Sequence, residues 1–320
     1  MLHTRVRTQS QIVRDVPPEQ LHALAEDKAN LLWIDLEAPN ADEVGLIAGI
    51  FGWSPLTVED LIKQGQRAKL EDFGGYTYLV MHDLVYGAEA KRVETPEVDF
   101  VIGDNYVASV HYHQLPHVNE SREVAQHLAA LLANGPDYLL YVLIDRLVDG
   151  YFPALDDMHE AVEDLEQSII SDPGPHLLPR IFEMKRDAVT LRRVISPQME
   201  VFSRLTSPGF GVVTEPHVVY FRDVHDHLIR CMEGLDTYRD LMSGALDAYL
   251  SNVSNRMNEV MKRLTVLAAL FLPITFFTGL LGMNLRVVPL WQDNLFWVLL
   301  VIMATVSAMQ LLYFRKKGWT

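Results

Sequence analysis

The chain has 320 residues, a formal net charge of −15 and a single cysteine, Cys231. One cysteine excludes an internal disulfide and fits a reducing compartment, and so acidic a chain makes nucleic acid an unexpected partner. With six basic and two acidic residues from Met257 onward, the part before Met257 carries 21 basic and 40 acidic side chains, a net charge of −19. This acidity fits a soluble domain, and at a membrane it would also concentrate cations.

Residues 1–118 are predicted to form a small α/β domain. Turn signals such as Gly74-Gly75 and Gly103-Asp104-Asn105 separate apolar runs typical of strands, while other stretches have helical periodicity. The strands are expected at 31–36, 76–85, 98–102 and 106–113, and the helices at 42–51 and 55–64. The domain contains no glycine-rich phosphate loop, nucleophile elbow or Cys-x-x-Cys pair, so nothing in it indicates an enzyme.

Residues 119–215 form a helical region by the same criteria. Apolar residues recur at three- and four-residue spacing over 138–170, and a second helix is predicted over 178–205. After Pro216 no proline interrupts the pattern until Pro273. A single helix of some 60 residues, about 90 Å long, is therefore expected to continue from residue 216 to residue 282.

Two uncharged apolar stretches, 264–282 and 295–314, are each long enough to cross a bilayer core of about 30 Å. Lys262-Arg263 precede the first and Arg315-Lys316-Lys317 follow the second, so the positive-inside rule places both termini in the cytoplasm. The predicted fold is an α+β cytoplasmic domain with long helices, followed by a two-helix hairpin in the cell (inner) membrane. The external loop is 283–294, and the cytoplasmic tail is 315–320.

Two spans make a poor pathway for a polar solute, so we expect a homo-oligomer in which the first spans surround a pore. One narrow face of the first span carries small or polar side chains, which could instead serve tight helix packing. The residues on that face are Asn258, Met261, Leu264, Thr265, Ala268, Leu272, Thr275 and Gly279. Neither span contains Asp, Glu, His, Lys, Arg or Cys, so a cation would meet hydroxyls, amides and carbonyls or pass hydrated. Mg2+, which sheds water reluctantly, suits such a path.

Gly282-Met283-Asn284 ends the first of two apolar spans, a position that makes this tripeptide far stronger evidence than it would be alone. It stands with seven other characteristic segments, 58–60, 66–72, 138–145, 147–152, 220–224, 254–262 and 271–275. Together these segments resemble the CorA-type divalent cation transporters, and the resemblance covers nearly the whole chain.

The resemblance implies a funnel-shaped homopentamer whose first spans line the pore. Asn284 would then place a ring of five amides at the outer mouth, where their carbonyl oxygens recognise a hydrated cation. Gly282 would let the chain leave the helix, and Met283 would pack beneath the ring. The alternative for this tripeptide is a helix C-cap without contact to the ion. No cofactor is expected, because the divalent metal is the transported substrate.

Two positions depart from the family pattern. Val288-Pro289-Leu290 stands where Mg2+-transporting members commonly carry an acidic residue, and Arg286 adds positive charge to the same loop. In the cytoplasmic part, Asp223 matches one aspartate of a regulatory Mg2+ site between subunits. Its partner position aligns near Gly87, with Asp83 and Glu89 close by in the sequence, so this regulatory pair is expected to be incomplete.

Other functions remain open at this stage. Mg2+ is favoured as the substrate, with proton-coupled Zn2+ transport of the ZntB type as the alternative and Co2+ or Ni2+ also considered. The alternative function outside transport is that of a membrane-tethered scaffold or signalling oligomer.

Other side chains are weaker metal-site candidates. Asp223 and His227, four residues apart, could form half of a metal site or a solvated pair, whereas His225 points to another face. His113 and His117 are expected in a loop. An acidic helix face, expected to be solvated or to concentrate cations weakly, comprises Asp156, Asp157, Glu160, Glu163, Asp164 and Glu166.

Overall fold

A computed structural model describes residues 1–8, 12–87, 92–115, 134–283 and 293–319. Its chain divides into two units. One unit comprises Met1–Ser168 and Pro175–Ala245, and the other comprises Ile169–Gly174 and Leu246–Thr320. The first unit contains a mixed sheet covered by helices, and the second contains the apolar helical segments.

A seven-stranded sheet forms the centre of the first unit. The described strands are β1 (Leu2–Arg7), β2 (Ile12–Arg14), β3 (Leu31–Glu37), β4 (Lys69–Asp72), β5 (Tyr76–His82), β6 (Val85–Gly87), β7 (Arg92–Glu94), β8 (Glu97–Gly103) and β9 (Tyr106–His111). The sheet has the order β2-β1-β3-β9-β8-β5-β4, and among these described strands only β3 and β9 pair in parallel. The two short strands β6 and β7 form a separate antiparallel pair.

Three short helices cover one face of this sheet: α1 (Pro18–Glu26), α2 (Ala41–Phe51) and α3 (Pro55–Ile62). Alternate strand residues such as Leu32 and Ile34 pack there against Val44, Ile47 and Leu61. The boundaries of α2 follow from its sequence. Asn40 and Glu43 form a reciprocal capping box at its start, and Gly52 ends it with a φ of 68° in the left-handed region.

The opposite face of the sheet is also buried. A second layer of helices contacts the sheet at β4, β8 and β9. The helices of this layer are α4 (Pro136–Asp149), α5 (Tyr151–Ser171) and α6 (Leu177–Leu205). The single helical pattern expected over 138–170 is thus two helices, with Gly150 between them. Pro153 explains the break, since it has no N–H to bond the carbonyl of Asp149 four residues earlier.

The last two helices are α7 (Val218–Gly282) and α8 (Asp293–Lys316). The prediction of one uninterrupted helix up to residue 282 is confirmed, with Pro273 lying inside it. Both helices contain an apolar window long enough to cross a membrane. Only 6% of the window in Glu215–Leu280 and none of that in Trp297–Lys316 is buried within the chain.

Most of the expected strands and helices are found close to their expected positions. The run at 76–85 divides into β5 and β6 around the buried Asp83. Five elements without a clear sequence pattern were missed, namely β1, β2, α1, β4 and β7. The expected helix between residues 119 and 133 lies outside the described residues.

Tyr151, at the start of α5, links three elements and yields a stability prediction. Its side chain is fully buried, its hydroxyl donates to the carbonyl of His82, and it lies 3.0 Å from Gln198 Oε1. Tyr151→Phe removes the hydroxyl that donates to the carbonyl of His82 and should cost about 1–3 kcal/mol, although Gln198 Oε1 still accepts from the N–H of His82. We expect a lower thermal unfolding midpoint for the detergent-solubilised protein. Tyr220→Phe is the control, because its hydroxyl makes no hydrogen bond among the described residues; equal midpoints for the two variants would contradict the prediction.

Candidate metal centre

Four potential metal ligands meet where α4 faces α7. Asp145 and Asp149 lie one turn apart on α4, and Asp223 and His227 lie one turn apart on α7. One ligand atom from each of Asp145, Asp149 and His227 lies within 4.8 Å of the other two. His227 Nδ1 is 3.4 Å from Asp149 Oδ1, and its Nε2 is 3.8 Å from Asp223 Oδ2. The arrangement surrounds one imidazole with three carboxylates.

Two ligand atoms of this cluster are buried without a hydrogen-bond partner among the described residues: Asp145 Oδ1 and His227 Nδ1. The other oxygen of Asp145 accepts a long hydrogen bond of 3.4 Å from the hydroxyl of Tyr141. Buried polar atoms are normally satisfied by protein or water, so these two are available to a ligand. A divalent cation would satisfy both atoms and offset the repulsion between the carboxylates.

Burial and the neighbouring carboxylate of Asp149 raise the pKa of Asp145 to about 6, while His227 and Tyr141 oppose the shift. A proton and a metal ion therefore compete for this carboxylate near neutral pH. Carboxylate oxygens suit Mg2+, and the imidazole additionally suits Co2+ or Zn2+. Cys231 offers no thiolate, since its side chain is buried and burial raises its pKa.

The break between α4 and α5 helps to position the imidazole. Phe152, just after that break, meets the ring of His227 edge-on with the ring centres 5.7 Å apart. Arg230, on the next turn of α7, lies over Phe152 at 5.4 Å. His225 lies on another face of α7, as expected.

The narrow face predicted to line the pore is exposed along its whole length within the chain. Its polar side chains differ in their bonding. Thr265 donates to the carbonyl of Met261 at 2.7 Å, as Thr278 on a neighbouring face does to Ile274 at 2.9 Å. The side chains of Asn258 and Thr275 make no hydrogen bond to any described residue. Their amide and hydroxyl groups are thus free to contact solvent, an ion or another copy of the chain.

Of the proposed entrance residues, Gly282 is the last residue of α7 and Met283 follows it, both exposed. Asn284 lies outside the described residues, as do Arg286 and the 288–290 segment. The structure therefore does not describe the entrance ring.

The α/β part also contains positions considered for the regulatory site. Asp83 is buried, with its carboxylate accepting from the N–H of Leu84 at 2.7 Å, and Gly87 ends β6. Glu89 and His117 lie outside the described residues. The acidic face of α5 is solvated, with each of its side chains exposed except the half-buried Glu166.

Sequence reasoning considered Asp223 and His227 as half of a metal site, with a solvated pair as the favoured alternative, and did not single out Asp145 or Asp149. The signal was present, because those two aspartates have the same four-residue spacing on a helix. What the sequence could not supply is the packing of α4 against α7, which brings the two pairs together.

Comparison with known proteins places this architecture in a family. The model of the CorA-like Mg2+ transporter protein family matches residues 28–316. The cobalt/magnesium transport protein CorA of Thermotoga maritima is 34% identical over 297 residues, which cover 92% of this chain and 84% of that protein. The divalent cation transporter CmaX of Pseudomonas aeruginosa is 27% identical over 301 residues, covering 90% and 87%.

A solved structure supports the same fold. The CorA magnesium transporter from Methanocaldococcus jannaschii superimposes with a TM-score of 0.87 at 17% identity, covering 100% of this chain and 99% of that one. The chain belongs to the CorA-like Mg2+ transporter family, whose members are membrane transporters of divalent cations rather than enzymes.

The metal centre yields a prediction about Asp145. A carboxyl group whose pKa is raised on folding lowers the stability of the folded state as the pH rises through that pKa. Asp145→Asn should therefore raise the unfolding midpoint at pH 8 without divalent cations. It should also abolish the stabilisation by Mg2+ or Co2+, which for wild type should reach about 2.7 kcal/mol at 100 times the Kd.

Asp157→Asn, an exposed aspartate on α5, is the matched control and should retain the cation response. A cation-induced shift of the unfolding midpoint that is equal in Asp145→Asn and wild type would show that the cluster does not bind the metal.

Proposed function

We propose that this protein transports divalent cations, with Mg2+ preferred, through a pore formed by the first apolar spans of a homopentamer. One observation carries the proposal: the same helix, α7, contributes to the metal centre and then presents an unburied apolar segment with a small, partly polar face. An apolar segment of this kind requires lipid or other copies of the chain around it. Relatives named as cobalt/magnesium and divalent cation transporters support the same activity.

The pore path proceeds along the face from Asn258 to Gly279. Because neither span has Asp, Glu, His, Lys, Arg or Cys, we propose that the cation keeps much of its water and is contacted by the free groups of Asn258 and Thr275. Five copies of Asn284 form the entrance ring, with Gly282 and Met283 beneath them. Mg2+ favours such outer-sphere contacts because it dehydrates reluctantly.

The proposed domains follow this pathway. Residues 1–118 form the α/β domain, 119–215 the helical region and 216–282 the stalk with the first span. The external loop 283–294 joins it to the second span, 295–314, in a membrane hairpin, and the tail is 315–320. The positive charges at Lys262-Arg263 and Arg315-Lys316-Lys317 support a cytoplasmic location for both termini in the cell membrane.

We propose that the metal centre is a cytoplasmic sensor that Mg2+ occupies when its concentration is high. Asp223 belongs to it through its contact with His227. The expected partner position of Asp223 aligns near Gly87, which has no carboxylate. We propose that Asp145 and Asp149 of the same chain supply the carboxylates instead. Co2+, Ni2+ or Zn2+ could also use this site through the imidazole of His227, which keeps proton-coupled Zn2+ transport as the alternative activity.

The entrance ring is tested by Asn284→Ala. Loss of the amide removes the oxygen ligand to the hydrated ion, so Mg2+ uptake into liposomes should fall to the level of empty liposomes while the oligomer stays intact by size-exclusion chromatography. Asn294→Ala, in the same region of the sequence but outside the Gly-Met-Asn segment, should keep wild-type uptake. Normal uptake by assembled Asn284→Ala protein would refute the ring.

The pore face is tested by a pair of threonine variants of equal size. Thr275→Val removes a hydroxyl that is free to contact the ion and should reduce uptake roughly fivefold, the effect of about 1 kcal/mol in a barrier. Thr278→Val removes a hydroxyl that already bonds the carbonyl of Ile274, so uptake should change little. Equal uptake by the two variants would mean that α7 presents another face to the pathway.

A further inference from the structure

The C-terminal end of α8 folds into a fixed turn. Gly318 has a φ of 69°, and its N–H bonds the carbonyl of Arg315 at 3.1 Å. The N–H of Trp319 bonds the carbonyl of Phe314 at 3.0 Å, which completes the glycine-based cap common at helix ends. The indole of Trp319 then stacks on Phe314, with ring centres 5.7 Å apart and planes 21° apart. Trp319 is thus held in place beside the helices.

This turn closes one side of a cavity of about 410 Å³. The opposite wall is α7, which contributes apolar side chains and, one turn earlier, two cations and one carboxylate. The lining residues of α7 are Glu259, Lys262, Arg263, Val266, Leu267 and Leu270. The cavity is therefore amphipathic: apolar toward the first span and positively charged toward the cytoplasmic flank.

Among the described residues, the two cations of this cavity have no ion-pair partner. Lys262 and Arg263 are exposed and form no ion pair with Glu259 or with any other described residue. The neighbouring tail adds Arg315, Lys316 and Lys317, the last of which lies over the ring of Tyr313 at 5.5 Å. The cavity therefore carries a net positive charge, which would attract an anionic group.

Helical geometry places this cavity away from the proposed pore. At about 100° per residue, the lining residues centre roughly opposite the face that contains Asn258, Thr275 and Gly279. A ring of first spans with that face inward would turn the cavity outward, toward lipid. Tryptophan is favoured at this depth, where a bilayer meets water.

We propose that this cavity binds the headgroup of an anionic phospholipid from the cytoplasmic leaflet, an inference that rests on the membrane placement in the proposed function. Lys262 and Arg263 contact the phosphate, while Val266 and Leu270 contact the start of an acyl chain and Trp319 covers the glycerol region. A phospholipid would thus contact both the charged and the apolar part of the cavity, whereas a free phosphate would contact only the charged part. Basic pockets between spans on this side of a membrane bind anionic headgroups by this chemistry.

The test measures binding of phosphatidylglycerol and phosphatidylcholine to the detergent-solubilised full-length protein, from the rise in unfolding midpoint with lipid concentration. Wild type should prefer phosphatidylglycerol. Arg263→Gln should weaken that binding about fivefold, the effect of one cation near an anionic surface. Arg256→Gln removes the same charge two turns earlier on the same side of α7, outside the cavity, and should leave the binding unchanged.

Equal weakening by Arg263→Gln and Arg256→Gln, or equal binding of the two lipids, would overturn the site. Displacement of phosphatidylglycerol by glycerol phosphate at similar concentrations would show a free-anion site and also overturn it. Quenching of the Trp319 emission, obtained as wild type minus Trp319→Phe, should be stronger with brominated phosphatidylglycerol than with brominated phosphatidylcholine; equal quenching would contradict the proposal.

Cation uptake measured on the same preparations separates this inference from the transport function. Uptake without lipid preference would contradict the lipid site alone. Lipid preference without uptake would contradict the proposed transport and leave the lipid site standing.

Discussion

The apolar part of α7 is almost entirely unburied among the described residues, and much of the protein's organisation follows from that constraint. Over this segment almost nothing is buried, and no ionisable side chain is present to make water a good environment for it. A bilayer supplies the missing contacts on most of the helix surface. The narrow face with the free groups of Asn258 and Thr275 is less suited to lipid, because their polar atoms would remain unsatisfied there. Assembly around that face resolves the conflict, and it also creates a route for an ion.

The same absence of charge limits the mechanism of transport. A bare divalent ion in the first span would lose its hydration without gaining a carboxylate in return, which is far too costly. Hydroxyls, amides and bound water can instead exchange contacts with a hydrated ion at little cost. Selectivity then depends on the entrance and on the size of the pore. The carboxylates and imidazole that the spans lack lie in the first unit, at Asp145, Asp149, Asp223 and His227.

Sequence reasoning worked best where the physical signal is local. The course of α7 from Val218 to Gly282 followed from the absence of helix-breaking residues before Pro273 and from its apolar period. Strands β3, β8 and β9 followed from short apolar runs between turn signals. It failed over 138–170, where apolar residues keep a helical spacing throughout. Gly150 and Pro153 nevertheless divide this stretch into two helices. It also missed β1 and β2, whose alternation of charged and apolar residues is short.

The metal centre shows a different limit. Each half has a visible four-residue spacing, yet many helices carry such pairs on solvated faces, as the acidic face of α5 does. The packing of α4 on α7 distinguishes the pairs, because it buries Asp145 Oδ1 and His227 Nδ1 without a hydrogen-bond partner in the described part of the chain. Roles that depend on several chains, such as the Asn284 ring, rest on the family pattern and on physical argument.

We propose that the protein conducts hydrated divalent cations without coupling to protons. This is tested most directly by uptake of Mg2+ and Zn2+ into liposomes that contain the purified protein, side by side, with and without a pH gradient. We expect saturable Mg2+ uptake that is indifferent to the gradient and exceeds Zn2+ uptake. Zn2+ uptake that requires a proton gradient, or no uptake of either ion above that of empty liposomes, would contradict it.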